Sequence, residues 1–309
     1  MNLPGSVDGV LEVTTFPAAA SRKWLLIEVP HGATRKSDYD GVVSKLKSAL
    51  PDQLDHFFFV NTDIGAPEGA AWLGKTLSAQ GINVVVARCL IPRTFIDTNR
   101  VIPRLRSGGT EAGVVVDGLT PAVPGYIDSP DDAKWLTAQH ARYHQAVHAA
   151  YQAVCRGADG LALQLHSYSP RSVSIEKTDG NIVTALHAAY VPEVYAKWPE
   201  RPPVDVISAL ADGSFRAAPK LVEAVLREYA ADGIAAKENG TYHLHAVAMG
   251  YEYARAYPDQ VVCVELNRGL VADPFVPFGV SPISEAKVAK MVAPLGRALS
   301  AALAWSLTA

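Results

Sequence analysis

Cysteine is scarce, with three in 309 residues. Cys89, Cys155 and Cys263 are odd in number, far apart and set among apolar neighbours. Such a trio builds neither a disulfide framework nor a four-cysteine zinc site, and reads as reduced core thiols of a cytosolic protein. Charge of one sign is also lacking: the net charge is −3 and no run of like charge stands out. That excludes the basic footprint of a nucleic-acid binder. No apolar run approaches the ~20 residues of a membrane span. The opening "MNLPGSVDGVLEV" does not have the basic-then-apolar order of a secretory signal. Repeats, low-complexity tracts and linkers are missing too. These absences lead us to expect a soluble cytoplasmic protein, one domain over 1–309, with no nucleic-acid or membrane partner. They leave its oligomeric state open.

What the chain has is apolar residues, 49% of it, enough for one large core. Short runs rich in Val, Leu, Ile and Phe read as strands: "KWLLIEV" (23–29), "HFFFV" (56–60), "NVVVARCL" (83–90), "LALQLH" (161–166) and "QVVCVEL" (260–266). Being apolar on both faces, they belong inside a sheet covered by helices on each side. Helical patterns fall between them. "APEGAAWLGKTLSAQG" closes on a glycine suited to a C-cap. "SPDDAKWLTAQHARYHQAVHAAYQAVCRG" opens on Ser, Pro and two acids, as a helix N-terminus prefers. "PKLVEAVLREYAADG" and the closing "SPISEAKVAKMVAPLGRALSAALAWSL" complete the set, and the Gly- and Pro-rich 101–130 reads as a long loop. The expected fold is a single α/β domain with a mostly parallel or mixed central sheet and helices on both faces.

Ligands of such sheets sit beyond the carboxyl ends of the strands. There the first run delivers His31, "HFFFVNTD" delivers Asp63, "LALQLHS" delivers His166, and "VVCVELNR" delivers Glu265 and Arg268. The connection "PRTFIDTNR" brings Arg93, Asp97, Asn99 and Arg100. Two histidines and two acids on one side can make a catalytic zinc site, three of them as ligands and the other acid as general base. Each has a plainer reading: a hydrogen-bonded histidine, an Asp63 that caps the helix near Pro67, a Glu265 paired with Arg268. Glu265 suits the plain reading least, since a carboxylate among Val, Cys and Leu is costly unless paired or functional. His140, His144 and His148 recur every four residues and share one helical face. His140 and His148 are expected to be packing residues.

"HSYSP" after an apolar strand resembles the segment of zinc metallocarboxypeptidases that carries their last metal-binding histidine. "RTFIDTNR" resembles their D-x-N-R carboxylate-binding element, and "VCVELNR" the strand bearing their general base. The sequence is more similar still to the N-formylglutamate amidohydrolase family. It shares a Pro-His strand end (Pro30-His31), an aspartate further on (Asp63), R-x-x-x-D-x-N-R (Arg93 to Arg100), a helical Tyr-His pair (Tyr143-His144), the His-Ser strand end and a closing E-x-x-R (Glu265 to Arg268). These motifs span about residues 24 to 270. The carboxypeptidase His-x-x-Glu is broken here by Thr34, so the second metal ligand falls to Asp63, as the amidohydrolase pattern implies.

The resemblance implies a zinc-carboxypeptidase-like (phosphorylase/hydrolase-like) fold holding Zn2+ on His31, Asp63 and His166, with Glu265 and Arg93 as catalytic residues. Glu265 would be the general base and Arg93 the partner of the oxyanion. Asn99 and Arg100 would grip a substrate carboxylate, since the guanidinium fork meets both oxygens at once. Tyr168, His144, Tyr242 and His243 complete the expected substrate pocket, and Asp97 is expected to orient Arg100 or its loop. The implied activity is zinc-dependent cleavage of an N-acyl amino acid, N-formyl among the acyl groups. A metallocarboxypeptidase-type peptidase acting on short peptides is the alternative, and a non-catalytic metal- or ligand-binding protein the second. A serine hydrolase is excluded, because no G-x-S-x-G elbow occurs.

Overall fold

Four of the five apolar runs become the centre of a sheet. In the computed structural model, which describes residues 2–102, 113–115 and 119–305, they form β2 (Trp24–Val29), β3 (Asn83–Cys89), β4 (Gly160–Tyr168) and β7 (Val261–Asn267). These four are mutually parallel, so their carboxyl ends open on one side. Three further strands, β1 (Leu11–Phe16), β5 (Val204–Ile207) and β6 (Ala236–Glu238), complete a seven-stranded mixed sheet of order β1-β3-β2-β4-β7-β5-β6. β1 runs antiparallel to β3, and β5 antiparallel to β7.

Because successive side chains point to opposite faces, each central strand feeds two cores. Leu25, Ile27 and Val29 of β2, with Leu163, Leu165, Val262 and Val264, join one of them. Leu26, Val85, Ala87, Ala162 and Val261 join the other. α3 (Ala66–Ala79), α7 (Pro219–Ala231) and α9 (Glu285–Trp305) cover the first face. The second is covered by α1 (Lys36–Val43), α2 (Leu54–Asn61), α4 (Pro130–Val154), α5 (Ile182–Ala189) and α8 (Met249–Ala256), while α6 (Pro192–Tyr195) is a single turn. Each fully buried Leu, Ile or Val contributes about 1.5–3 kcal/mol. The α4 start behaves as expected: Ser129 caps it, its hydroxyl accepting from the Asp132 amide at 3.4 Å.

One expectation is overturned. "HFFFV" is not a strand but lies inside α2, where Leu54, Phe57 and Phe58 are buried at helical spacing. A short apolar run has no period of its own, and Leu54 three residues before Phe57 decides the face. The expected loop at 101–130 lies partly outside the described residues, at 103–112 and 116–118.

Candidate active site

The site forms where β2, β4 and β7 end. His31 lies two residues beyond β2, whereas β4 continues two residues past His166, so that histidine projects from within the strand. Glu265 is in register with His166 on the neighbouring strand. Asp63 arrives differently from expectation. It stands in the turn between α2 and α3, its amide donating to the His31 carbonyl at 3.3 Å. Gly65 makes that turn possible: its φ is +84°, and a Cβ there would lie 2.5 Å from Val271 Cγ2. Asp63 does not cap α3 with its side chain. The N-cap is Gly65, whose amide donates to Glu68 Oε2.

The two imidazoles meet at one oxygen. His31 Nδ1 lies 3.2 Å and His166 Nδ1 2.9 Å from Asp63 Oδ2. Their far nitrogens are held from behind, His31 Nε2 2.8 Å from Asp97 Oδ1 and His166 Nε2 3.2 Å from Gln164 Oε1. Both rear partners are acceptors, so they fix the proton on Nε2 and turn each Nδ1 lone pair towards Asp63. A carboxylate oxygen facing two lone pairs is repulsive unless positive charge joins them, either a metal ion or, in the metal-free protein, protons on the imidazoles. That donor set, two imidazole nitrogens and a carboxylate oxygen within 4.8 Å of one another, fits a divalent metal.

The surrounding charges are arranged to keep the anions ionised. Arg268 Nη2 donates to Asp63 Oδ1 at 3.1 Å and to the Ser167 carbonyl at 2.8 Å, and its Nη1 reaches the Val60 carbonyl. Arg268 thus pairs with Asp63, and the plainer reading of Glu265 as its partner does not hold. Burial alone would raise the Asp63 carboxyl, but His31 and His166 outweigh it and hold it far below the usual range. Asp97 is likewise buried, and Arg100, Arg93 and His31 hold it well below its ordinary value. It accepts from Arg93 Nε at 3.0 Å and lies 3.5 Å from Arg100 Nη2. Asp97 therefore contacts Arg93 and His31 as well as Arg100, the partner expected of it.

Glu265 is half-buried on the cavity wall, with its Oε2 sealed from solvent and without a hydrogen-bond partner. Burial pushes its carboxyl up to about 7; His166 opposes that rise and Asp63 adds to it. A carboxyl poised there suits general acid–base work near neutrality.

A cavity of about 420 Å³ opens onto these groups. Arg93, Asn99, Arg100, Tyr168, Tyr242, His243 and Glu265 line it beside His31 and His166. Among the described residues the Arg93 Nη1 has no partner, while its Nη2 donates to Thr120 Oγ1 at 2.9 Å. Arg100 is 3% exposed and largely committed to protein, its Nε to the Thr120 carbonyl and its Nη1 to the Asn99 carbonyl. Asn99 Oδ1 accepts from the Gly250 amide at 3.2 Å, which fastens the first turn of α8. The Tyr168 hydroxyl donates to the Pro202 carbonyl, so the ring rather than the oxygen faces the cavity. His144 is the expected pocket residue that does not line the cavity. Its Nε2 lies 3.1 Å from His140 Nε2 behind the Asp97–Arg100 segment, and its pKa is pushed down to about 3 by burial and by His140, which itself contacts the Arg100 carbonyl. His148 is exposed beside Gln152 on the helix exterior, so it does not pack against the sheet as expected.

Sequence reasoning missed three contributors. Gln164 holds His166 from behind, and Gly250 leaves room for it, since a Cβ there would lie 2.5 Å from Gln164 Oε1. Glu28 sits fully buried beneath, accepting from Tyr143, Tyr151 and Gln164. Arg201, far along the chain in a Pro-rich turn, also lines the cavity. A polar residue in an otherwise apolar strand was the available signal for Glu28 and Gln164. None existed for Arg201.

At the carboxyl ends of a mixed α/β sheet, a buried His–Asp–His set that could hold a metal ion faces a carboxyl raised towards neutrality. The chain belongs to the N-formylglutamate amidohydrolase family, whose model matches residues 25–272. No curated protein matches it. Among solved structures it is similar to a gene product of Agrobacterium tumefaciens, at 17% identity and TM-score 0.54 over 97% of this chain and 96% of that one. That likeness shows a shared fold. An N-formylglutamate amidohydrolase from Ralstonia eutropha aligns at 18% identity and TM-score 0.48, over 96% and 97% of the two chains. An aspartoacylase family protein from Mesorhizobium loti aligns at 13% and 0.36, over 96% and 71%.

Proposed function

We propose that this protein is a zinc-dependent amidohydrolase that cleaves the amide of a small N-acyl amino acid bearing a free carboxylate. The observation that carries this is the convergence of His31 Nδ1 and His166 Nδ1 on Asp63 Oδ2, with Glu265 unpartnered beside them. Family membership supports the reaction class. The cavity volume of about 420 Å³ suits a small molecule rather than a polypeptide, which favours this reading over the peptidase.

His31, Asp63 and His166 would hold the ion, which supplies Lewis acidity when bound. Glu265 takes the proton of the water that attacks the amide carbon and delivers it to the departing nitrogen. Arg93 presents its Nη1 to the carbonyl oxygen as negative charge develops there. Asn99 and Arg100 form the polar end that receives the substrate carboxylate, with Tyr168, Tyr242 and His243 on the walls. His144 acts from behind, by supporting the Asp97–Arg100 segment.

Three buried free cysteines and the absence, among the described residues, of any helix long and apolar enough to cross a membrane support a cytoplasmic placement. The test is a hydrolysis screen of the zinc-loaded protein against N-formyl and N-acetyl amino acids and blocked dipeptides. Turnover of N-acyl amino acids above dipeptides is expected. Preference for dipeptides would move the assignment to the peptidase.

A further inference from the structure

Five guanidinium groups line the cavity, and four are balanced by acids, Arg171 by Glu200. Arg93 and Arg100 share Asp97, and Arg268 pairs with Asp63. Arg201 differs: among the described residues no carboxylate lies within ion-pair distance of it. It is held instead by neutral groups. Its Nε donates to Ser172 Oγ at 3.1 Å and its Nη2 to the Tyr242 hydroxyl at 2.6 Å, with a longer Nη1 contact of 3.5 Å to the Ser169 carbonyl. The rings of Tyr168 and Tyr242 lie 5.0 and 5.1 Å from its guanidinium carbon.

These contacts leave one N–H on each terminal nitrogen available to a carboxylate. The group is also placed beside the reacting centre. Tyr168 follows His166 by two residues on β4, and Asn267 follows Glu265 by two on β7 and donates its Nδ2 to the Arg201 carbonyl at 3.3 Å. Arg201 is near enough to Glu265 to favour that residue's charged form.

We infer that Arg201 is a specificity-determining anion anchor, which binds a second carboxylate carried by the substrate at a distance from the scissile amide. This rests on the reading above that the cavity takes an N-acyl amino acid. The second carboxylate has two possible sources, the amino-acid side chain or the far end of a dicarboxylic acyl group.

Two neutral-isostere pairs separate them: N-formyl-L-glutamate against N-formyl-L-glutamine, and N-succinyl-L-alanine against N-succinamoyl-L-alanine. In the wild type kcat/KM favours the dianion of one pair by about 10- to 100-fold, chiefly through KM. Arg201→Gln removes that preference, so that dianion and neutral isostere are turned over with similar kcat/KM. The pair that responds names the source. Arg201→Lys, which keeps the charge and loses the fork, retains only part of the preference, and it decides by the same ratio should the Gln variant not fold. A wild type with no dianion preference, or variants that keep it, overturns the inference. Calorimetric titration with glutarate and with glutaramate keeps this result apart from the hydrolase reading. If no acyl amino acid is hydrolysed, a glutarate preference lost in Arg201→Gln still upholds Arg201, and a preference unchanged there rejects it.

Discussion

Two glutamates sit in apolar strands of the same sheet, and they have opposite fates. Glu28, in β2, is fully buried, and its oxygens accept from Tyr143 at 2.7 Å, Tyr151 at 2.8 Å and Gln164 at 3.0 Å. Glu265, in β7, faces the cavity with one oxygen unpartnered and its carboxyl pushed up to about 7 by burial. Burial of a carboxylate therefore does not by itself mark chemistry. What separates the two is whether the surroundings satisfy the charge. Glu28 is an acceptor that fixes α4 to the sheet and, through Gln164, steadies His166. Glu265 is left with capacity to spare, as a proton-transferring group requires.

The contrast breaks most sharply under mutation. Glu265→Gln keeps the shape and removes the base, and is expected to lower kcat by about 10²–10⁴-fold with the fold intact; a rate within fivefold of wild type would return Glu265 to a structural role. Glu28→Ala should do the reverse. It strands two tyrosine hydroxyls and an amide in the core, at a cost of about 3–5 kcal/mol in denaturant unfolding. If instead that variant unfolds like the wild type, the three hydrogen bonds do not carry the weight given to them.

A smaller effect separates the two by pH. The Glu265 carboxyl rises from 4.5 to about 7 on folding, so the folded state of the metal-free protein holds its proton more tightly. The stability this gives is complete below pH 4.5 and is lost as pH climbs through 7, up to about 3 kcal/mol in all. Metal-free Glu265→Gln should therefore match the wild type near pH 4.5 and exceed it at pH 8. Asp63 has the opposite sign: its lowered pKa adds stability above 3.8 that is lost on acidification. Equal stability of Glu265→Gln and wild type at pH 8 would mean that Glu265 carries its charge at no cost.

How far this could be read from the chain follows the same physics. β2, β3, β4 and β7 were legible because a strand buried on both faces is a continuous apolar run, and α3, α4, α7 and α9 because they are long and well bounded. His31, His166 and Glu265 stood out as polar residues at or near the ends of such runs. Asp63 was found by resemblance, although the strand expected to deliver it is α2. β5 and β6, with four and three residues, are too short to carry a pattern. β1 alternates weakly, with only Leu11 fully buried. Arg201 and the reach of Asp97 to His31 are products of tertiary proximity, which no local spacing records.

The central claim is that His31, Asp63 and His166 hold a metal. Its most direct test is elemental mass spectrometry of tag-free protein prepared without chelators, with His166→Ala alongside. The account predicts about one zinc per chain in the wild type and a loss of it in the variant, as expected of a three-ligand site. A wild type that carries no metal and takes up none from added zinc would contradict it.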